Sequence, residues 1–243
     1  MTTFTPTCCT APRRHWPLPV SLPGVVLTSC RFDPSLWTAD DFTRSAIEAP
    51  ASIQRSVAKR QAEFLAGRLC ARAALQALGW QGPAAAMVPA IGEDRAPVWP
   101  PGVCGAISHG GGWAGAMVAH QQAWRGLGMD METLLKPERA LHLHGEILTA
   151  PERARMAQRS ADEVGMIVTL TFSLKESLFK ALYPLVLKRF YFEHAEVLDW
   201  QADGTARLRL LTDLSPQWRA GAEFDGQFRV EDGQLLSMVW VPL

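Results

Sequence analysis

The chain has 243 residues, enough for one large domain or two small ones with a shared core, and its 48% apolar and 20% charged content is that of a packed globular protein. Twenty-four basic residues balance twenty-four acidic ones, which argues against a protein devoted to nucleic acid, because such domains carry a clear positive excess. Cys8, Cys9, Cys30, Cys70 and Cys104 are odd in number and lack C-x-x-C spacing, which argues against a disulfide framework or a thiolate zinc site and for reduced thiols in a cytoplasmic protein.

Residues 1–23 read as a loose, proline-rich N-terminal arm. Arg13-Arg14 is followed by Pro17, Pro19 and Pro23, which prevent the apolar helix of an export signal. No apolar run reaches the length of a membrane span, so no membrane partner is expected. A first strand is expected from Gly24 to Phe32 around Val25-Val26-Leu27. Helical periodicity runs from Ala51 to Gly79, with Gly79 and Gly82-Pro83 as stop signals. After a Pro/Gly-rich connection over 83–101, Val103–Ile107 and Trp113–Val118 read as strands joined through the loop Ser108-His109-Gly110-Gly111-Gly112. The polar residues 120–122 then lead to a strand at Leu127–Met131. A subdomain boundary is placed there, dividing 24–124 from 125–243.

In the second half, Thr149-Ala150-Pro151-Glu152 has the form of a capping box with an early proline, so a helix should follow. Another helix carries Ser173–Tyr183 and is expected to end at or before Pro184. Its start stays open, since Val164–Thr169 has strand propensity yet also suits the buried first turns of one long helix. The tail closes with strands at Ala206–Leu211, Phe224–Val230 and Leu235–Val241, the last two flanking an Asp232-Gly233 turn. The fold class is α+β.

Four segments carry residues with chemical potential. In Gly128-Met129-Asp130-Met131-Glu132 the alternation puts Asp130 and Glu132 on one face of a strand, with Cα atoms about 7 Å apart. Their repulsion, on the order of 2 kcal/mol at an effective dielectric near 20, would be relieved by a cation. A solvent-facing strand edge explains the same pattern. In Ser173-Leu174-Lys175-Glu176-Ser177-Leu178-Phe179-Lys180, Glu176 and Lys180 lie one turn apart. That pair is a plain ion pair or part of a site, and Ser173-x-x-Glu176 also fits a capping box that would occupy Glu176. Lys175 falls within the apolar arc of this helix, which suggests a nearby anion or a snorkelling side chain. Arg68 and Arg72 fall in the middle of the buried side defined by Phe64, Leu65, Leu69, Ala71 and Leu75, where a guanidinium needs a carboxylate or a phosphate. Ser108-His109 precedes three glycines that permit close backbone approach to a phosphate, without P-loop spacing.

In this order the segments resemble the Sfp-type 4′-phosphopantetheinyl transferases, in particular the enterobactin-pathway branch. The resemblance rests on Phe64-Leu65-Ala66-Gly67-Arg68 with Arg72, on Ile107-Ser108-His109, on Gly128–Glu132 and on Phe172–Ala181. Gly92-Glu93-Asp94-Arg95-Ala96-Pro97-Val98-Trp99-Pro100 is also similar to that branch, and coverage runs from about Arg55 to Phe192. It implies the transferase fold: two α+β subdomains related by a pseudo-two-fold axis in one chain, with the active site between them, and a monomer. The implied reaction moves the phosphopantetheine arm of coenzyme A onto a serine of an apo acyl, peptidyl or aryl carrier protein, releasing 3′,5′-ADP, in fatty-acid, polyketide or siderophore synthesis.

By the family pattern Asp130, Glu132 and Glu176 hold Mg²⁺, and Asp130 also borders the coenzyme. Glu176 deprotonates the carrier serine, and Lys180 neutralises phosphate charge. Lys175 contacts the pyrophosphate, while Arg72, Ser108 and His109 grip the phosphates of the adenosine part, with Arg68 nearby. Met131 and Gly110 depart from the common pattern, and Gly110 removes one phosphate contact. Two other readings are a non-catalytic binder of carriers and coenzyme A, and a metal-dependent phosphohydrolase.

Overall fold

Prolines 17, 19 and 23 keep the N-terminal stretch out of a helix, but they do not leave it loose. The computed structural model describes residues 4–243, and part of the expected arm lies outside them, at 1–3. Cys8 and Cys9 are buried against Cys30 and Phe32. Arg13–Arg14 (β1) pairs antiparallel with Val26–Arg31 (β2). Residues 4–16 form one compact unit with Leu22–Ala123, whereas Pro17–Ser21 belongs to a second with Trp124–Leu243. The reason is local: Gln227 takes the Val20 N–H at 2.8 Å and donates to the Val20 carbonyl at 2.7 Å, as an adjoining strand would.

In the first unit Asp40–Arg44 (α1) and Ala51–Gln54 (α2) precede the long helix Ala58–Leu78 (α3). The expected single helix over 51–79 is thus two, separated at Arg55–Val57. It ends as expected at Gly79, whose φ of 77° is the left-handed cap that glycine adopts without strain. The short pair Ala90–Ile91 (β3) and Pro97–Val98 (β4) leads to the hairpin of Val103–Gly110 (β5) and Trp113–His120 (β6). Gly111 and Gly112 alone make the turn, both at positive φ. Ser108, His109 and Gly110 therefore lie within β5, paired with Gly115, Ala114 and Trp113, and are not the loop expected. The sheet runs β1-β2-β6-β5, and α3 buries Leu65, Leu69 and Leu75 in its core.

The second unit opens with Trp124–Thr133 (β7), followed by the helices Pro137–Ile147 (α4), Ala150–Met156 (α5) and Val164–Val186 (α6). Strands Ala195–Trp200 (β8), Thr205–Leu210 (β9), Glu223–Glu231 (β10) and Gln234–Pro242 (β11) complete an antiparallel sheet in the order β7-β11-β10-β9-β8. Leu170, Leu174, Leu178 and Leu182, one turn apart on α6, are fully buried with Leu208, Leu235 and Val239 of this sheet. Contrary to expectation, α6 runs through Pro184. That proline falls in the last turn and Leu185 and Val186 still pack on the core, so burial outweighs one missing N–H. Leu187 at φ 51° closes the helix by donating to the Tyr183 carbonyl at 2.8 Å. Both units are α+β. Among the described residues no helix is long and apolar enough to cross a membrane.

Candidate active site

The acidic strand and the Ser173–Lys180 helix meet because β7 has no side chains at two alternate positions. A Cβ at Gly126 would run into the Ala181 carbonyl, and one at Gly128 into the Ser177 carbonyl. With glycine at both, α6 lies directly on β7 and the next residue on that face, Asp130, reaches Ser173. Ser173 Oγ donates to Asp130 Oδ2 at 2.9 Å, while Lys180 Nζ donates to Asp130 Oδ1 at 2.6 Å and to the Met129 carbonyl at 3.1 Å. Ser237 Oγ of β11 lies 2.8 Å from both Ser173 Oγ and Ser177 Oγ, and all three serines are 0% exposed. Each hydroxyl has one proton. Since Ser173 donates its own to the carboxylate, Ser237 must donate to Ser173, which fixes the chain's direction towards Asp130.

Glu132 and Glu176 share the electrostatics of this corner. The Glu132 carboxyl is pushed from the ordinary 4.5 up to about 7, first by burial, then by Asp130 and Glu176, against the pull of Lys180. Glu176 is also raised, chiefly by burial and further by Asp130, with Lys180 opposing. Three carboxylates thus face one ammonium. Among the described residues no group of three or more His, Cys, Asp or Glu side chains is placed, as it stands, to hold a metal ion. The donor set suits an open magnesium site, in which one or two carboxylates are completed by water and substrate phosphate.

A raised acid makes stability fall with pH. The contribution of Glu132 is intact below 4.5 and is lost as pH rises through about 7. Glu132→Gln removes that loss, so in chelator its melting temperature should exceed wild type by roughly 3–6 °C at pH 8 and match it near pH 4.5. This assumes about 1–2 kcal/mol, half the full linkage value because the side chain is part-exposed. Equal melting temperatures at pH 8 would show that burial and the neighbouring carboxylates do not raise Glu132.

The start of α6 settles what Glu176 is bound to. With the helix beginning at Val164, Ser173 lies in its interior, its hydroxyl is committed to Asp130, and Glu176 serves no cap. The Glu176 side chain has no hydrogen bond among the described residues. Lys175 departs from expectation. It is 3% exposed and its ammonium donates to Glu152 Oε2 at 2.8 Å and to the carbonyls of Ile147 and Phe192 at 2.9 Å each, which uses all three protons. Against the anticipated pyrophosphate contact, the anion that Lys175 meets in the structure is Glu152, the capping-box glutamate of α5.

The remaining candidates lie in the first unit. The Arg68 guanidinium is 6% exposed, 4.6 Å above the Phe64 ring, with one long bond of 3.5 Å to the Ala90 carbonyl and a buried Nε without a partner. Burial and the neighbouring charge of Arg60 lower its pKa to about 10, and among the described residues no carboxylate pairs with it. It is a buried cation awaiting an anion. Arg72 is half-buried and donates to the Ser45 carbonyl at 2.6 Å. Ser108 is buried. His109 Nε2 lies 2.9 Å from Arg60 Nη1, with its Nδ1 3.7 Å from Glu63 Oε2. Gly67 lets β5 approach α3, since a Cβ there would meet Ile107 at 2.9 Å. A separate cavity of about 660 Å³, lined by Trp37, Phe42, Ile47 and Gln61 among others, includes none of the candidates.

Comparison with known proteins decides the family. A model of the 4′-phosphopantetheinyl transferase N-terminal domain matches residues 48–119, and one of the 4′-phosphopantetheinyl transferase superfamily matches 126–231. The chain is 35% identical over 199 residues to the 4′-phosphopantetheinyl transferase Npt of Nocardia iowensis, covering 77% of this chain and 85% of that protein. It is 38% identical over 167 residues to enterobactin synthase component D of Escherichia coli K12 (69% and 74%) and 36% over 160 to PptT of Mycobacterium tuberculosis (65% and 66%).

The chain belongs to the 4′-phosphopantetheinyl transferase superfamily. It is a transferase that uses coenzyme A as substrate and a carrier protein as acceptor. Sequence reasoning missed several residues that shape the site of this phosphopantetheinyl transferase. Gly126, Ser177 and Ser237 hold Asp130 in place, and Arg60 and Glu63 flank His109. The signal for the first group was present as Gly126-x-Gly128 opposite Ser173, Ser177 and Ala181, small residues at four-residue spacing. All five cysteines are free and buried.

Proposed function

We propose that this phosphopantetheinyl transferase is magnesium-dependent and modifies carrier proteins of siderophore synthesis and of fatty-acid or polyketide synthesis. The observation that carries the metal is the excess of carboxylates: Glu132 and Glu176 are both raised by burial and by Asp130, with only Lys180 opposing. Asp130, Glu132 and Glu176 would hold Mg²⁺, which supplies charge neutralisation at the pyrophosphate when bound. Glu176 takes the proton of the acceptor serine hydroxyl, directly or through water. The serine oxygen bonds to the phosphorus of the phosphopantetheine arm, and the bond to the 3′,5′-ADP leaving group breaks. Lys180 counters charge on the phosphates. Arg68 binds an anionic group of coenzyme A, and its unpaired Nε supports this. Arg72, Ser108 and His109 serve the phosphates of the adenosine part. We read the protein as a cytoplasmic monomer.

Incubation with coenzyme A, Mg²⁺ and a panel of apo carriers from siderophore, fatty-acid and polyketide pathways should add one phosphopantetheine mass to at least one siderophore carrier. Asp130→Ala is expected to lower that rate at least about 100-fold. Unchanged rates in chelator, or in Asp130→Ala, would refute the metal reading. Cleavage of coenzyme A without any carrier would favour a hydrolase.

A further inference from the structure

Lys175 precedes the proposed base in sequence, yet its ammonium points into the protein. Its partner Glu152 joins several elements. Glu152 Oε1 accepts the Val197 N–H of β8 at 2.6 Å, and its Oε2 accepts the Thr149 N–H at 2.6 Å as well as Lys175. The two carbonyls completing the Lys175 shell come from the last residue of α4 and from Phe192, just before β8. One buried cation therefore ties the middle of α6 to the end of α4, the start of α5 and the approach to β8.

A buried ion pair is weak evidence of stability, because apolar residues of similar size often serve as well. What it supplies here is direction. Leucines at 170, 174, 178 and 182, alike along the stripe, fix only which face of α6 is buried. The Asp130 contacts hold α6 on its β7 side, and three acceptors around one ammonium hold it on the side of α4 and α5. Successive residues lie about 100° apart around a helix, so the angle that seats Lys175 also sets Glu176 and Lys180.

We propose that Lys175 and Glu152 form a positioning clasp that fixes the rotation of α6 and so presents Glu176 and Lys180 to the reacting groups, with Lys175 itself not touching the phosphates. The clasp rests on the transfer reaction proposed above and deepens it. Glu152 becomes a residue on which turnover depends, although it makes none of the contacts proposed with coenzyme A.

Steady-state kinetics of the full chain, with coenzyme A varied at saturating apo carrier, separates the two roles. Lys175→Met and Glu152→Gln should each lower kcat roughly 30-fold or more while KM for coenzyme A stays within about three-fold. In Glu152→Gln the amide nitrogen meets donors in either orientation, the Lys175 ammonium and Thr149 N–H in one and the Val197 N–H in the other. The double variant should be no more than about three-fold worse than the poorer single variant, since both remove one interaction. A Lys175→Met enzyme that keeps its kcat and raises KM ten-fold or more would overturn the clasp and return Lys175 to the phosphates. So would a folded Glu152→Gln with wild-type kcat, or losses that multiply. If Lys175→Met does not fold, Glu152→Asp replaces it: a kcat loss of about ten-fold at unchanged KM supports the clasp, and wild-type kcat overturns it. If the wild-type protein modifies no carrier, the transfer reading fails by itself. Hydrogen exchange then tests the clasp, Glu152→Gln being expected to speed exchange at 173–180 and unaltered exchange overturning it.

Discussion

Glu176→Gln is expected to leave the protein folded, with a melting temperature no lower than wild type, while the rate of carrier modification falls about 1,000-fold. The side chain is part-exposed and has no hydrogen bond among the described residues, so an amide of the same shape leaves no partner stranded. Removing a carboxylate raised by burial also lightens the charge beside Asp130. What disappears is the acceptor for the serine proton together with one oxygen donor for a cation. The wild-type rate should rise with pH as Glu176 ionises, whereas residual activity of the variant should lose that limb. Mass gain of an apo carrier, followed from pH 5 to 8, measures both. A variant retaining more than about a tenth of wild-type activity would remove Glu176 from the role of base.

Gly128→Ala should be the most damaging single methyl group in the second unit, costing about 4 kcal/mol or more and abolishing activity through loss of fold. The added Cβ would meet the Ser177 carbonyl oxygen and stand 2.7 Å from the Ala181 nitrogen. Both are backbone atoms of α6, so no side chain can swing aside, and the helix must lift off β7. Lifting it would also part Ser173 and Lys180 from Asp130. Gly145→Ala in α4 is the control, since nothing lies within 4 Å of a Cβ there. Helix propensity predicts a gain of up to about 1 kcal/mol for it. Urea denaturation of both variants checks the pair. A Gly128→Ala protein within about 1 kcal/mol of wild type would show that α6 does not rest on that glycine.

Much of the fold was readable because its cues are local. Gly79 as a helix stop, the Thr149–Glu152 capping box and the turn before Gln234 each depend on neighbours within a few residues. The errors have a common cause. Pro17, Pro19 and Pro23 suggested a loose arm, yet Gln227 holds Val20 from 207 residues away. Pro184 suggested a helix end, yet the core of the second unit carries α6 two residues further. In both cases tertiary contacts outweighed a local preference.

The candidate site divides in the same way. Period-two alternation on β7 grouped Asp130 with Glu132 and the four-residue spacing grouped Glu176 with Lys180, while the family resemblance named the helix as the strand's counterpart. The sequence alone thus determined the α+β class, the kinds of side chain available and the family they resemble. Only the tertiary structure decided which groups are committed elsewhere. Ser173 serves Asp130 from the helix interior, Lys175 serves Glu152, and Arg68 stands buried without a carboxylate among the described residues. The reason is separation along the chain. Asp130 and Ser173 are 43 residues apart, Ser173 and Ser237 are 64, and Glu152 and Lys175 are 23. No local periodicity spans such distances, and in a low-dielectric interior it is the nearest partner that decides what a buried charge does.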